Sequence, residues 1–185
     1  MTLTTGRSAH PTESISGLLV RDATPADMSA IQIIYAHYVL NARATFEEIP
    51  PSLDEMLTRH AAVLSLGLPY LVAEADSKVV GYSYATPYRA RSAYRFSVED
   101  SIYVAPGNGG KGIGSRLLAE LIGRCEAGPW KQMIAVIGDS ANAGSVAVHR
   151  RHGFQHTGVF TAVGFKFGEW IDTVLMQRPL SGGSK

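Results

Sequence analysis

The stretch SIYVAPGNGGKGIGSRLLAEL, Ser101 to Leu121, constrains the fold more tightly than any other part of the chain. A β-branched run gives way to five glycines between positions 107 and 114, then to a segment where Leu117, Leu118, Leu121, Ile122 and Cys125 recur on one helical stripe. Strand, bare loop and helix in that order open a βαβ crossover, so part of the sheet has to be parallel. The amides of such a loop face a helix N-terminus, an arrangement that attracts an anion.

Which anion is a matter of spacing. Gly110-Lys111 invites comparison with the nucleoside-triphosphate loop, which needs a glycine five residues earlier and a Ser or Thr after the lysine. Ala105 and Gly112 occupy those positions, so that motif is absent. Gly107, Gly109 and Gly112 satisfy the dinucleotide pattern G-x-G-x-x-G. The ribose-binding acid expected about 20 residues further on is missing, because Lys131 and Gln132 stand there. A basic glycine loop after a strand suits the pyrophosphate of coenzyme A equally well. A plain left-handed turn would need fewer glycines.

Upstream, LLVRDA (18–23) reads as a strand, and Thr24-Pro25-Ala26-Asp27 as the capped start of a helix running to about Asn41. Ser52 with Glu55 predicts a capping box for a second helix ending near Gly67. YLVAEADSKVVGYSYATPY forms two strands around Asp76-Ser77, RARSAYR a polar linker, and FSVEDSIYV the strand before the glycine loop. After the loop's helix come an apolar strand (QMIAVIGD), a short helix (NAGSVAVHRRHGF) and two closing strands. The expected architecture is α/β: a mixed sheet of about seven strands, antiparallel at first with a parallel pair in the middle, flanked by about four helices. A chain that is 45% hydrophobic can bury one core at this length. One domain over 18–180 is expected, with a disordered tail at 1–17 and a short tail at 181–185.

A net charge of +1 offers no footprint for nucleic acid or an anionic membrane. The lone Cys125 excludes an internal disulfide, and no window has signal-peptide or membrane-span character. A soluble cytoplasmic protein is expected. His149, His152 and His156 straddle a break at Gly153 and lack metal-site spacing, so no metal is expected.

Gly109-Gly110-Lys111-Gly112-Ile113-Gly114, Asn142 after the next strand, and His149-Arg150-Arg151-His152-Gly153-Phe154 follow in the order typical of one family. In these the chain resembles the GNAT acyl-coenzyme A N-acetyltransferases, with Gly109 where a Gln or Arg is usual and Lys111 beside it to supply charge. ATFEE, PYRARSAYRFSVEDSIYV, AVIGDSANAGSVAVHRRHGF and VGFKFGEWIDTVLMQ resemble its phosphinothricin and methionine-sulfoximine branch. The resemblance implies a GNAT fold and direct acetyl transfer from acetyl-coenzyme A to a small amino-acid-like amine. The alternatives are a protein N-terminus or another small amine as acceptor, or a coenzyme A sensing module without turnover.

The resemblance also implies the site. Glu99 is the expected general base, and His149, at the family's usual Tyr position, the acid or part of a base relay. Asp100, on the opposite face of the strand from Glu99, is expected to cap or pair. Ile102, Tyr103, Val104, Gly110, Lys111, Gly112, Ile113, Gly114, Ser115 and Asn142 would hold the coenzyme, with amides at the Tyr103-Val104 end stabilising charge on the thioester oxygen. Phe46, Arg89, Arg91, Glu99, Asp100 and Ser101 would meet the amine substrate. The arginines provide bidentate partners for a carboxylate or phosphinate. Cys125, on an apolar stripe, reads as packing rather than as a nucleophile. Trp170 and Phe167 read as core or subunit interface, and the resemblance implies a homodimer.

Overall fold

Residues 17–180 are described in a computed structural model. The tails expected at 1–17 and 181–185 lie outside the described residues, Gly17 excepted. The elements are β1 (Leu19–Asp22), α1 (Met28–Asn41), α2 (Leu53–Ser65), β2 (Tyr70–Ala75), β3 (Lys78–Pro87), β4 (Ser97–Val104) and α3 (Ile113–Glu126). They continue with β5 (Gln132–Gly138), α4 (Ala143–Arg151), β6 (Gln155–Lys166) and β7 (Glu169–Pro179). The strands form one sheet in the order β1-β2-β3-β4-β5-β7-β6. Among the described strands only β4 and β5 run parallel, so the mixed sheet and four helices match the architecture read from the sequence.

The local signals explain most of these elements. Asp76 and Ser77 take left-handed backbone, φ 48° and 58°, the turn whose twist matches an antiparallel hairpin. Ser52 Oγ accepts the Glu55 amide at 3.2 Å and starts α2. The start of α1 differs from expectation. Pro25–Asp27 is a 3-10 turn, and Thr24 Oγ donates to the Asp27 carboxylate at 2.8 Å instead of capping the helix. Arg21 holds that carboxylate in a fork at 2.8 and 2.8 Å and reaches Glu74 at 2.7 Å. The guanidinium's hydrogen bonds outweigh burial and keep the Asp27 carboxyl well below the usual range. The entry to α1 is thus tied to β1 and β2.

Strand alternation divides the molecule into two faces. A Cβ on Gly81 would lie 3.1 Å from Leu117 and 3.2 Å from Ile113, so this side of β3 lies against α3. Leu117, Leu118 and Leu121 are fully buried there, each contributing about 1.5–3 kcal/mol of burial. Tyr82, the next residue, faces the other way and stacks on Tyr103 at 5.2 Å. Tyr35 of α1 meets Tyr103 edge-on at 5.1 Å. Helix α1 and its partner α2 therefore cover a tyrosine-rich face.

Candidate active site

The parallel pair is short. Ser97 to Asp100 match Gln132 to Ala135, and beyond Ala135 β5 keeps only its β7 neighbour. On β4 the bonding pattern alternates: Tyr88 donates to the Ser97 carbonyl and Ala105 to the Val80 carbonyl. Residues 97, 99, 101, 103 and 105 therefore turn their backbone groups to β3, and those of Ile102 and Val104 face the gap beside β5. Tyr38 Oη donates to the Val104 carbonyl at 2.7 Å. The open amides are those of Ile102 and Val104. This corrects the expectation for Tyr103, whose amide belongs to the β3 ladder.

The glycine loop closes one end of this gap. Gly110 and Gly112 have φ 77° and 81°, a left-handed conformation that a side chain would strain by roughly 1–3 kcal/mol. Gly112 is the N-cap of α3, so the helix's free amides open onto the loop. Asn142 Oδ1 accepts the Ser145 amide at 3.1 Å and starts α4 on the far wall. A cleft of about 560 Å³ results, lined by Ile102, Tyr103, Val104, Gly110, Gly112, Ile113, Gly114, Ser115 and Asn142, all expected to meet the coenzyme. Lys111 is not among the lining residues: its ammonium is tied to Asn108 Oδ1 at 3.1 Å. The spacing rules missed Tyr38, Ala44, Asn108 and Arg151, which also line the cleft. Tyr38 lies outside every motif, whereas Ala44, Asn108 and Arg151 stand as unassigned positions within ATFEE, the glycine loop and the 149–154 stretch.

Asp100 and His149 meet at the inner end. His149 is 4% exposed and Asp100 7%, with Nε2 and Oδ2 2.9 Å apart. His149 Nδ1 lies 2.8 Å from the Ser145 carbonyl, which only accepts, so Nδ1 carries a proton. Nε2 faces a carboxylate, and a second proton lies between the two side chains. Burial presses the His149 pKa down, but the hydrogen bond and charge of Asp100, with the Ser145 carbonyl, raise it overall. Both ring nitrogens of His149, expected as acid or part of a base relay, are thus engaged, by the Ser145 carbonyl and by Asp100. Asp100 pairs as its place on the strand suggested, and it lines the first cleft with His149.

Glu99 lies on the tyrosine face, opposite Thr86 of β3. It is half-buried. Burial and the neighbouring Asp100 charge push its pKa up to about 7, and Arg89 draws it back only in part. Thr86 also lines a second cavity of about 270 Å³, walled by Tyr35, Tyr70, Tyr82, Tyr84 and Arg59. Arg59 is held by Glu47 at 2.7 and 3.3 Å. Arg89 lies over the Tyr88 ring at 5.1 Å, and Arg91 is exposed at the start of a short turn, Ser92–Tyr94. Ser101 lines the first cleft. Phe46 is 41% exposed and so close to Gly164 that a Cβ there would lie 2.4 Å from its ring. Cys125 is buried, with its thiol pushed up to about 12, and serves as packing.

A parallel strand pair that parts beside a glycine loop opening onto a helix N-terminus is the arrangement of an acyl-coenzyme A transferase fold. The chain belongs to the GNAT acetyltransferase domain family, whose model matches residues 20–175. It is 58% identical over 164 residues to phosphinothricin N-acetyltransferase of Alcaligenes faecalis, covering 89% of this chain and 83% of that one. It is 37% identical over 163 residues to the L-methionine sulfoximine/L-methionine sulfone acetyltransferase of Salmonella typhimurium, covering 88% and 95%. The crystal structure of a phosphinothricin acetyltransferase from Sinorhizobium meliloti in complex with acetyl-coenzyme A superposes with a TM-score of 0.87 at 50% identity, covering 90% of each chain.

Proposed function

We propose that the protein transfers the acetyl group of acetyl-coenzyme A to the α-amine of a small amino-acid-like acid of the phosphinothricin or methionine sulfoximine type, in a ternary complex in the cytoplasm. The observation that carries this reading is the cleft formed where β4 and β5 part over the glycine loop at the start of α3. The relatives named above supply the substrate class.

The residues present fit acetyl-coenzyme A. The amides from Gly110 to Gly114 at the start of α3 suit its pyrophosphate, and the open strand amides suit an extended, amide-bearing arm. The thioester supplies the activated acyl group. Glu99 takes the proton that an ammonium must lose before it can attack. The Ile102 and Val104 amides give fixed donors to the oxygen on which charge develops. No side chain has to protonate the departing thiolate, whose conjugate acid titrates near ~8.5 by analogy with cysteine; this agrees with a His149 already engaged on both sides. Arg89 and Arg91 bind the substrate carboxylate, Phe46 walls the pocket, and the tyrosine-lined cavity beside Thr86 receives the side chain.

Release of free thiol from acetyl-coenzyme A tests the reading, with phosphinothricin, methionine sulfoximine, the common amino acids, spermidine and an unblocked peptide compared side by side. Fast release with the first two supports it. Release with the peptide alone makes a protein N-terminus the acceptor, and coenzyme binding without any release makes the chain a sensing module.

The active unit is a homodimer in this reading. β6 is an edge strand and leaves Phe160, Val163 and Phe165 about half exposed, with Trp170 of β7 at 68%. An uncovered apolar edge of this kind is a pairing surface. Sedimentation equilibrium should give twice the 19.9 kDa chain mass, and Trp170→Glu should shift it toward one.

A further inference from the structure

The link from α1 to α2 passes the open end of the β4–β5 pair and is gripped from the far side of the sheet. Lys166, at the end of β6, is 1% exposed. Its ammonium donates to the Ala42 carbonyl at 2.9 Å and the Thr45 carbonyl at 2.7 Å. Among the described residues no carboxylate comes within ion-pair distance of it. A buried cation held by two carbonyls and the face of the Phe167 ring, whose centroid is 4.9 Å from its ammonium, is a costly fastening, which apolar packing would not require.

Two glycines bring the link closer. A Cβ on Gly138 of β5 would lie 2.4 Å from the Arg43 carbonyl oxygen, and one on Gly164 of β6 2.4 Å from the Phe46 ring. Neither glycine has positive φ, so each answers to space and not to backbone conformation. Arg43 pairs with Glu169 and, at 3.7 Å, with Asp139. Tyr35 Oη and Thr45 Oγ1 are 3.0 Å apart. Five consecutive residues, Ala42 to Phe46, are therefore fixed by β5, β6, β7 and α1 together. Ala44 lines the coenzyme cleft, and in the acetyl-transfer reading above Phe46, packed on Gly164, walls the amine pocket, so the same five residues would serve both halves of the site.

We propose that Lys166 is a positioning residue for acetyl transfer, fixing Ala42–Phe46 as the wall shared by the coenzyme cleft and the amine site and so setting where the acceptor lies against the thioester. The proposal rests on the acetyl-transfer reading above. Without the two hydrogen bonds the wall moves, and a displacement on the ångström scale is enough to misalign the reacting groups.

Lys166→Met keeps the alkyl stem and removes the donors. It should lower kcat/KM for phosphinothricin by roughly 10-fold to 100-fold, mainly through kcat, with calorimetric acetyl-coenzyme A affinity within about threefold of wild type. Gly164→Ala, which leaves the lysine bonds in place and displaces Phe46, should give the same split. Leu121→Ala in the α3 core should lose melting temperature with kcat and both KM values unchanged. A Lys166→Met enzyme that resembles Leu121→Ala, less stable but kinetically normal, overturns the proposal, and so does an equal loss of affinity for both substrates. Trypsin cleavage after Arg43, scaled to cleavage after Arg89, reads the anchoring without activity and should rise in Lys166→Met but not in Leu121→Ala. Unchanged cleavage at Arg43 also overturns it. If cleavage rises while wild-type protein acetylates no small amine, the anchoring stands and the proposed acceptor class falls.

Discussion

Glu99→Gln should lower kcat with phosphinothricin by roughly 100-fold to 1,000-fold while leaving coenzyme affinity near wild type, the range expected for loss of a general base. The pH profile is the sharper test. Burial raises the Glu99 pKa to about 7, so below that pH the group holds its own proton and cannot take one from the ammonium. Wild-type kcat/KM should therefore climb with pH up to about 7 and then flatten. In the glutamine variant that limb should vanish, leaving a residual rate that rises only in the alkaline range where the free amine loses its own proton. An unchanged limb in Glu99→Gln would assign it to another group. Arg89 adds a check on sign: its charge holds the Glu99 pKa down, so Arg89→Gln should move the limb to higher pH.

The second large effect concerns stability. Asp100 and His149 are both almost fully enclosed and share a proton across 2.9 Å. Asp100→Ala leaves a buried imidazole facing nothing, a class of change that costs about 3–5 kcal/mol. In a domain of this size the melting temperature should fall by about 10 °C near pH 6. The pH dependence follows from the raised His149 pKa. A histidine that binds its proton more tightly folded than unfolded contributes its full stability below the unfolded value of about 6.5 and loses it as pH rises through the folded value. The gap between wild type and Asp100→Ala should thus narrow toward alkaline pH. Asp100→Asn is the milder change, because its amide can donate to a neutral Nε2 while Nδ1 keeps the Ser145 carbonyl. Melting curves of the three proteins from pH 5 to 9 decide it; a gap that widens with pH would mean the pair is not ionic.

What was legible in the chain depended on distance along it. The glycine loop, the Asp76-Ser77 turn and the Ser52 cap are written in neighbouring residues, and each formed as its local chemistry requires. The alternation that set Glu99 and Asp100 on opposite faces was equally local. Thr24 misled because a nearby carboxylate, itself fixed by Arg21, competed for its hydroxyl. The resemblance placed His149 in the site, but its role turned on a contact with Asp100 49 positions away. Lys166 reaches carbonyls 121 and 124 positions distant, and backbone carbonyls carry no sequence signature. The tyrosine face likewise draws on α1, β2, β3 and β4, and no window of the sequence contains it.

The placement of Glu99 and the glycine loop on opposite sides of one strand bears on traffic through the enzyme. In the reading proposed, the coenzyme would enter the cleft beside α3 and α4 and the amine substrate the cavity under α1 and α2, so neither would have to wait for the other to clear a common doorway. Initial-rate plots in the two substrates should then intersect instead of running parallel, and the bulky thiol product could leave while the acetylated acid is still seated. Whichever departure is slower sets the turnover, and a residue far from the chemistry, on the rim of that one doorway, becomes the place where rate is gained or lost.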